Sequence, residues 1–157
     1  MTRKDLQDAL VKELKENILR DVYGKRPSGE EHPVSVFAQD LPVISEDDDD
    51  ESMYFPYATV RLGDSDTLDD EDVWHQSVYI LLGAYDIDEK RQGHLGILTM
   101  IERITARFLK EPLLKPGFRC DAKMSTALQD EDTYPYYFGG VELSFALPKI
   151  EKEDPYA

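Results

Sequence analysis

Thiol chemistry has almost nothing to work with in this sequence: Cys120 is the single cysteine among 157 residues. One thiol closes no internal disulfide and builds no thiolate zinc site within the chain, so nothing points to an oxidising compartment. Arg119 beside it is placed to lower its pKa, but no redox or nucleophile motif accompanies the pair, and Cys120 reads as a strand residue. Long apolar runs are missing too. The longest, from Val78 to Tyr85, falls far short of the ~20 residues a membrane helix needs. The opening MTRKDLQDAL has no apolar run and does not read as a signal peptide. Cations are few: 18 Lys and Arg stand against 33 Asp and Glu, a formal net charge of -15. Nucleic-acid binding works by cations displacing counterions from phosphate, so stable binding to DNA or RNA is not expected. Acidity gives solubility, and it also keeps DNA from sticking to a surface.

Motifs that carry chemistry are equally scarce. The sequence has no G-x-S-x-G, no G-x-x-x-x-G-K-[ST] and no G-x-G-x-x-G, which leaves nucleophile elbows and phosphate cradles unsupported. Its three histidines, His32, His75 and His94, include no pair four residues apart, so a helical zinc motif is absent. Each reads as a surface or packing histidine. Asp64-Ser65-Asp66-Thr67-Leu68-Asp69-Asp70 begins like a calcium loop. Leu68 then occupies a ligand position, Asp69 the glycine position, and His75 the place of the closing bidentate glutamate, so the EF-hand reading fails. Asp88-Glu89-Lys90 has the D-x-K shape of a metal nuclease, but so short a match is expected by chance in a chain this acidic. The glycines of Gln92-Gly93-His94-Leu95-Gly96 suit an anion at a helix start, and they suit close strand-helix packing better. No catalytic residue, metal ligand or cofactor site is therefore assigned, and no enzyme activity is expected.

What the sequence does have is clear periodicity. Leu6, Leu10, Leu14, Ile18 and Val22 recur every fourth residue and predict an amphipathic helix from about Arg3 to Tyr23, closed by Gly24 and Pro27. Residues 34–38 suggest a short strand. Six consecutive carboxylates, Glu46 to Glu51, repel one another and predict a mobile, solvated loop near 46–52 that binds no metal. Tyr54 to Leu62 reads as a strand, with Pro56 at an edge or just before the ladder. A second acidic loop runs from Asp64 to Asp72. Val73 to Tyr85 is the strongest strand and is apolar on both faces, which suits a central strand or one packed on a neighbouring subunit. A helix from about Arg91 to Lys110 follows, stopped by Pro112 and Pro116, then strands at roughly Arg119 to Leu128 and Tyr137 to Leu147. Residues 149–157 are a polar C-terminal tail. The expected fold class is α+β: one domain over 1–148, with an antiparallel or mixed β-sheet and an N-terminal helix and a second helix packed on it.

The order and texture of these parts resemble the tail terminator, or tail completion, proteins of long-tailed bacteriophages and prophages. The resemblance spans roughly residues 3 to 148. It is carried by the opening helix, Tyr54-Phe55-Pro56-Tyr57, the strand ending at Tyr85, Gly93-His94-Leu95-Gly96 and Tyr134-Pro135-Tyr136-Tyr137-Phe138-Gly139-Gly140. It implies a structural virion protein forming a ring, usually a hexamer. The ring caps the tail tube protein at the head-proximal end, joins a head-tail connector protein, and lets DNA pass without specific binding. Assembly would occur in the host cytoplasm, with no membrane partner. The nine Tyr, six Phe and one Trp exceed what a small core needs and suit interfaces. Tyr54, Phe55, Trp74, Tyr79 and Tyr85 are the candidate interface residues. The competing readings are another head-tail connector or neck subunit, a metal-dependent nuclease using Asp88 and Lys90, and an acidic binding module that mimics DNA.

Overall fold

The structure, a computed structural model, describes residues 2–44, 51–67 and 73–148. Two helices, α1 (Arg3–Glu13) and α2 (His94–Lys110), pack on a mixed, strongly curled seven-strand sheet, an α+β architecture. The residues expected to form the loop at Glu46 and Asp47–Asp50, and the tail from 149 onward, lie outside the described residues.

Helix α1 begins with a capping box. The Thr2 hydroxyl accepts the Asp5 N–H at 3.2 Å, and the Asp5 carboxylate accepts the Thr2 N–H at 2.9 Å. The helix does not run to Tyr23. It widens into a π-turn over Leu14–Ile18, and Leu19 donates to the Leu14 carbonyl at 2.8 Å. A strict four-residue repeat drifts around a helix of about 3.6 residues per turn. The wider turn takes back that drift, and Leu6, Leu10, Leu14 and Ile18 all stay buried. Gly24 caps nothing. It lies in strand β1 (Tyr23–Lys25), which pairs with β2 (Glu31–Pro33) in a two-stranded hairpin. A Cβ on Gly24 would stand 3.0 Å from the Pro56 ring, so this glycine serves close approach instead.

The main sheet runs β3 (Ser35–Ala38), β4 (Tyr57–Thr67), β5 (Trp74–Tyr85), β9 (Tyr136–Ala146), β7 (Phe118–Cys120) and β6 (Leu113–Leu114), with β8 (Ser125–Leu128) also paired to β9. Only β3 and β4 run parallel. Tyr54 falls in a single 3-10 turn, Glu51–Tyr54, and Pro56 stands just before the ladder.

Asp64 and Asp66 are not in a loop, because β4 continues to Thr67 across a bulge between Leu62 and Ser65. Buried Gln76 holds that bulge, its amide donating to the Gly63 carbonyl at 2.8 Å. The strand expected from Arg119 to Leu128 is two strands. Asp121 breaks it: its N–H goes to the Ser144 carbonyl, and its carboxylate to His75 and the Ser144 hydroxyl. Helix α2 starts at His94, after Arg91 adopts φ 57.

One core joins both helices to one face of the sheet. It includes Leu6, Leu10 and Leu14 of α1, Ile97, Ile104 and Phe108 of α2, and Val60, Val78, Ile80, Leu82, Val141, Leu143 and Phe145 of the sheet. Gln7 ties α1 to the sheet edge, donating to the Val60 carbonyl at 2.8 Å and to the Gln39 side chain. Gln39 in turn accepts the Leu62 N–H, which no strand meets.

Candidate functional site

With both helices on one face, the alternation of β4, β5, β8 and β9 sends the other side chains to a helix-free face. The strand register orders that face in rows. Tyr85 pairs with Tyr136, then Tyr57 with Gly83 and Phe138. The next row is Thr59, Leu81, Gly140 and Ala127, and the one after it is Arg61, Tyr79, Glu142 and Ser125. At one end the rings interlock. Phe55 lies 5.0 Å from Tyr57, 4.9 Å from Tyr136 and 5.9 Å from Phe138, and Tyr85 lies 5.5 Å from Tyr136, the tilted and edge-on geometries that aromatic pairs favour. Gly83 makes room beneath them, since a Cβ there would stand 2.3 Å from the Tyr57 ring.

Away from that cluster the face opens. Tyr79 and Leu81 are each 38% exposed, although they sit on the central strand of the sheet. With Phe138, Gly140 and exposed β8 they line a shallow, mostly apolar groove of about 430 Å³. Tyr79 crosses Gly63, where a Cβ would stand 2.3 Å from its ring. The negative charge of Glu142, with partial burial and the hydrogen bond between the phenol and that carboxylate, raises the Tyr79 phenol above its ordinary pKa.

Three of the five candidate interface residues, Phe55, Tyr79 and Tyr85, meet on this face. Phe55 is 4% exposed and spends its ring inside the subunit. Tyr54 stands beside it near the β3 edge, edge-on to Phe37 at 5.3 Å and donating to the Pro42 carbonyl. Trp74 points to the opposite side, where Arg3 of α1 lies 5.1 Å over its ring. Leu81, which the alternation of its strand places on one face with Tyr79 and Tyr85, and Phe138 complete the groove, though neither was an interface candidate. The signal for Phe138 is cross-strand register, which a single strand's alternation does not reveal.

A scan against models of known protein families finds no match to this sequence, and a search of curated proteins finds none either. The site is therefore read from its own geometry.

The residues weighed for catalysis are dispersed. Asp88 borders a cleft of about 540 Å³ between the β1–β2 hairpin, the end of β5 and the start of α2. Its Oδ1 accepts the Lys90 backbone N–H at 2.9 Å, as Asp86 does for Asp88, so both carboxylates shape the turn. His75 Nδ1 meets Asp121 Oδ2 at 2.8 Å, and the Ser144 hydroxyl donates to that same oxygen at 2.7 Å. The hydroxyl bonds the carboxylate and not the imidazole, which is not the arrangement that activates a serine nucleophile. His94 opens α2, and His32 Nδ1 lies 2.6 Å from the Pro33 carbonyl. Gly93 is filled from below by the Tyr137 ring, which a Cβ would approach to 2.2 Å. Among the described residues no three His, Cys, Asp or Glu side chains converge as a metal site. Arg119 does not govern Cys120: burial pushes that thiol up to about 12 from its ordinary 9, so it stays protonated.

Proposed function

We propose that the chain is a structural subunit of a phage-type virion, a tail terminator that caps the tail tube as a ring and joins the head connector. The supporting observation is the helix-free sheet face. Tyr79, Leu81 and Phe138 present an apolar groove on central strands, where a sheet that served only its own core would carry polar side chains. Aromatic side chains of this kind are the usual anchors of protein–protein contacts. The resemblance in the order of the elements names the partner class, and the net charge of -15 suits a channel through which DNA slides.

Electron microscopy of the purified protein, alone and mixed with tail tubes, tests the reading. Rings capping the tube ends are expected, and the paired change Tyr79→Asp with Leu81→Asp abolishes capping while leaving the fold intact. A stable monomer before contact with the tube is compatible with this function. A subunit that stays monomeric in assembled particles, or that binds only portal-side proteins, overturns it in favour of a neck component.

A further inference from the structure

Strand β8 leaves one side of the sheet open. It pairs with β9 alone, from Ser125 opposite Glu142 to Leu128 opposite Gly139, and no other described strand meets its outer side. The ladder fixes which groups face out. Gln129 donates to the Phe138 carbonyl at 3.0 Å, directly across the pair. Bonded and non-bonded pairs alternate along an antiparallel ladder, so Ser125 and Ala127 bond towards β9, while Thr126 and Leu128 turn their N–H and C=O outward. All four strand residues are exposed, and Leu128 is 42% exposed. Charged side chains and proline, which usually guard an edge strand, are absent from Met124 to Gln129. Just beyond the strand charge returns with opposite signs, Lys123 before it and Asp130 and Glu131 after it. All three are exposed, and none forms an ion pair with another described residue.

We infer that β8 pairs antiparallel with β8 of a second copy, about a two-fold axis at Ala127. The outward groups of Thr126 and Leu128 allow a symmetric pair with its axis at Thr126, Ala127 or Leu128. With the axis at Ala127, Thr126 faces the partner's Leu128 and Leu128 faces the partner's Thr126, so every outward N–H and C=O of the strand gains a partner. The same register sets Lys123 opposite the partner's Glu131, twice over by symmetry. An axis at Thr126 sets Asp121 against the partner's Glu131, like against like. An axis at Leu128 sets Lys123 against the partner's Thr133. Opposite charges therefore select Ala127. The contact is isologous and complete at two copies, so it belongs to the free subunit and goes beyond the ring reading above. One short strand pair makes a small interface, so association is weak and rises with concentration. It must also overcome the repulsion of two chains that each carry -15. At 0.15 M salt the screening length is about 8 Å, which damps that repulsion while leaving contact pairs attractive.

Cysteine scanning reads the register directly. Across the axis Ala127 meets the partner's Ala127 as a non-bonded pair, with Cα atoms about 4.5 Å apart and within reach of a disulfide. The two Ser125 residues stand about 13 Å apart along the strands. Ser125→Cys, Thr126→Cys, Ala127→Cys and Leu128→Cys are oxidised separately at high protein concentration. The native Cys120 is buried and does not compete. Ala127→Cys is expected to form a covalent dimer about tenfold faster than the other three, because only its thiols meet in disulfide geometry. Sedimentation supplies a second readout. Lys123→Glu and Glu131→Lys are each expected to weaken association several-fold, and combining them in one chain to restore it. Circular dichroism melting confirms that each variant folds. Fastest linking at Ser125, Thr126 or Leu128, or no preference among the four, overturns the pairing, and so does a double variant that associates no better than the single ones. Tubes capped by a protein that never links at Ala127 leave the terminator reading standing and remove the pairing. Linked dimers from a protein that never caps tubes leave the pairing and remove that role.

Discussion

Gln76 shows how one polar side chain decides a local shape. It is 1% exposed, and its amide donates to the carbonyls of Gly63 and Ser77 at 2.8 Å each. Replacing it with leucine removes the donor and leaves carbonyls at the bulge without it. The Gln76→Leu variant is expected to lose about 1–3 kcal/mol of stability, read by chemical denaturation. Cys120 gives a pH signature. Its thiol is 4% exposed and titrates at about 12 when folded, against an ordinary value of 9. Below the ordinary value both states hold the proton. Above it the unfolded chain ionises and the folded chain does not, so the unfolded state binds fewer protons and stability falls as pH rises through that window. The slope approaches about 1.4 kcal/mol per pH unit for this group alone. Denaturation at pH 8 and pH 10 is expected to show that loss, and Cys120→Ala to remove the thiol's share of it. The folded thiol should also react with alkylating reagents only as fast as the protein opens.

At the scale of elements, α1 owes its start to local chemistry and its length to packing. The reciprocal Thr2 and Asp5 bonds satisfy N-terminal donors that no intrahelical carbonyl can reach. Thr2→Ala is expected to cost about 1 kcal/mol, measurable as a lower melting temperature. The far end answers to the core: the π-turn keeps Leu14 and Ile18 buried, and the chain then leaves for the β1–β2 hairpin. The four-residue repeat was visible in the sequence. That Val22 would leave the helix was not, because its periodic position mimics one more turn. Likewise the alternation of β5 was plain, with Val78, Ile80, Leu82 and Ala84 buried. The break between β7 and β8 depends on Asp121 finding His75 and Ser144, partners 46 and 23 residues away.

For the whole molecule, charge is the dominant variable. Glu46 to Glu51 place six carboxylates in a row. Changing residues 47–50 to serine is expected to leave the fold intact and to raise the melting temperature at low salt. The gain should vanish in high salt, where repulsion is already screened. A large drop in melting temperature would show that these carboxylates hold a structural partner. The same scale separates a structural protein from an enzyme. Asp88→Ala with Lys90→Ala is expected to leave tube capping unchanged. A magnesium-dependent plasmid cleavage that disappears with this double change would establish the nuclease reading instead.

The sequence by itself determined the α+β composition, the positions of both helices and the central strand, and the acidity, because each depends on neighbours within a few residues. Tertiary structure decided which aromatics share a face. Tyr79 and Phe138 lie 59 positions apart in numbering yet two rows apart on one surface, through a register set by strand pairing. It also decided which strands stand at the two ends of the main sheet's strand order, β3 at one and β6 at the other. Strand order is a long-range property that no local pattern encodes.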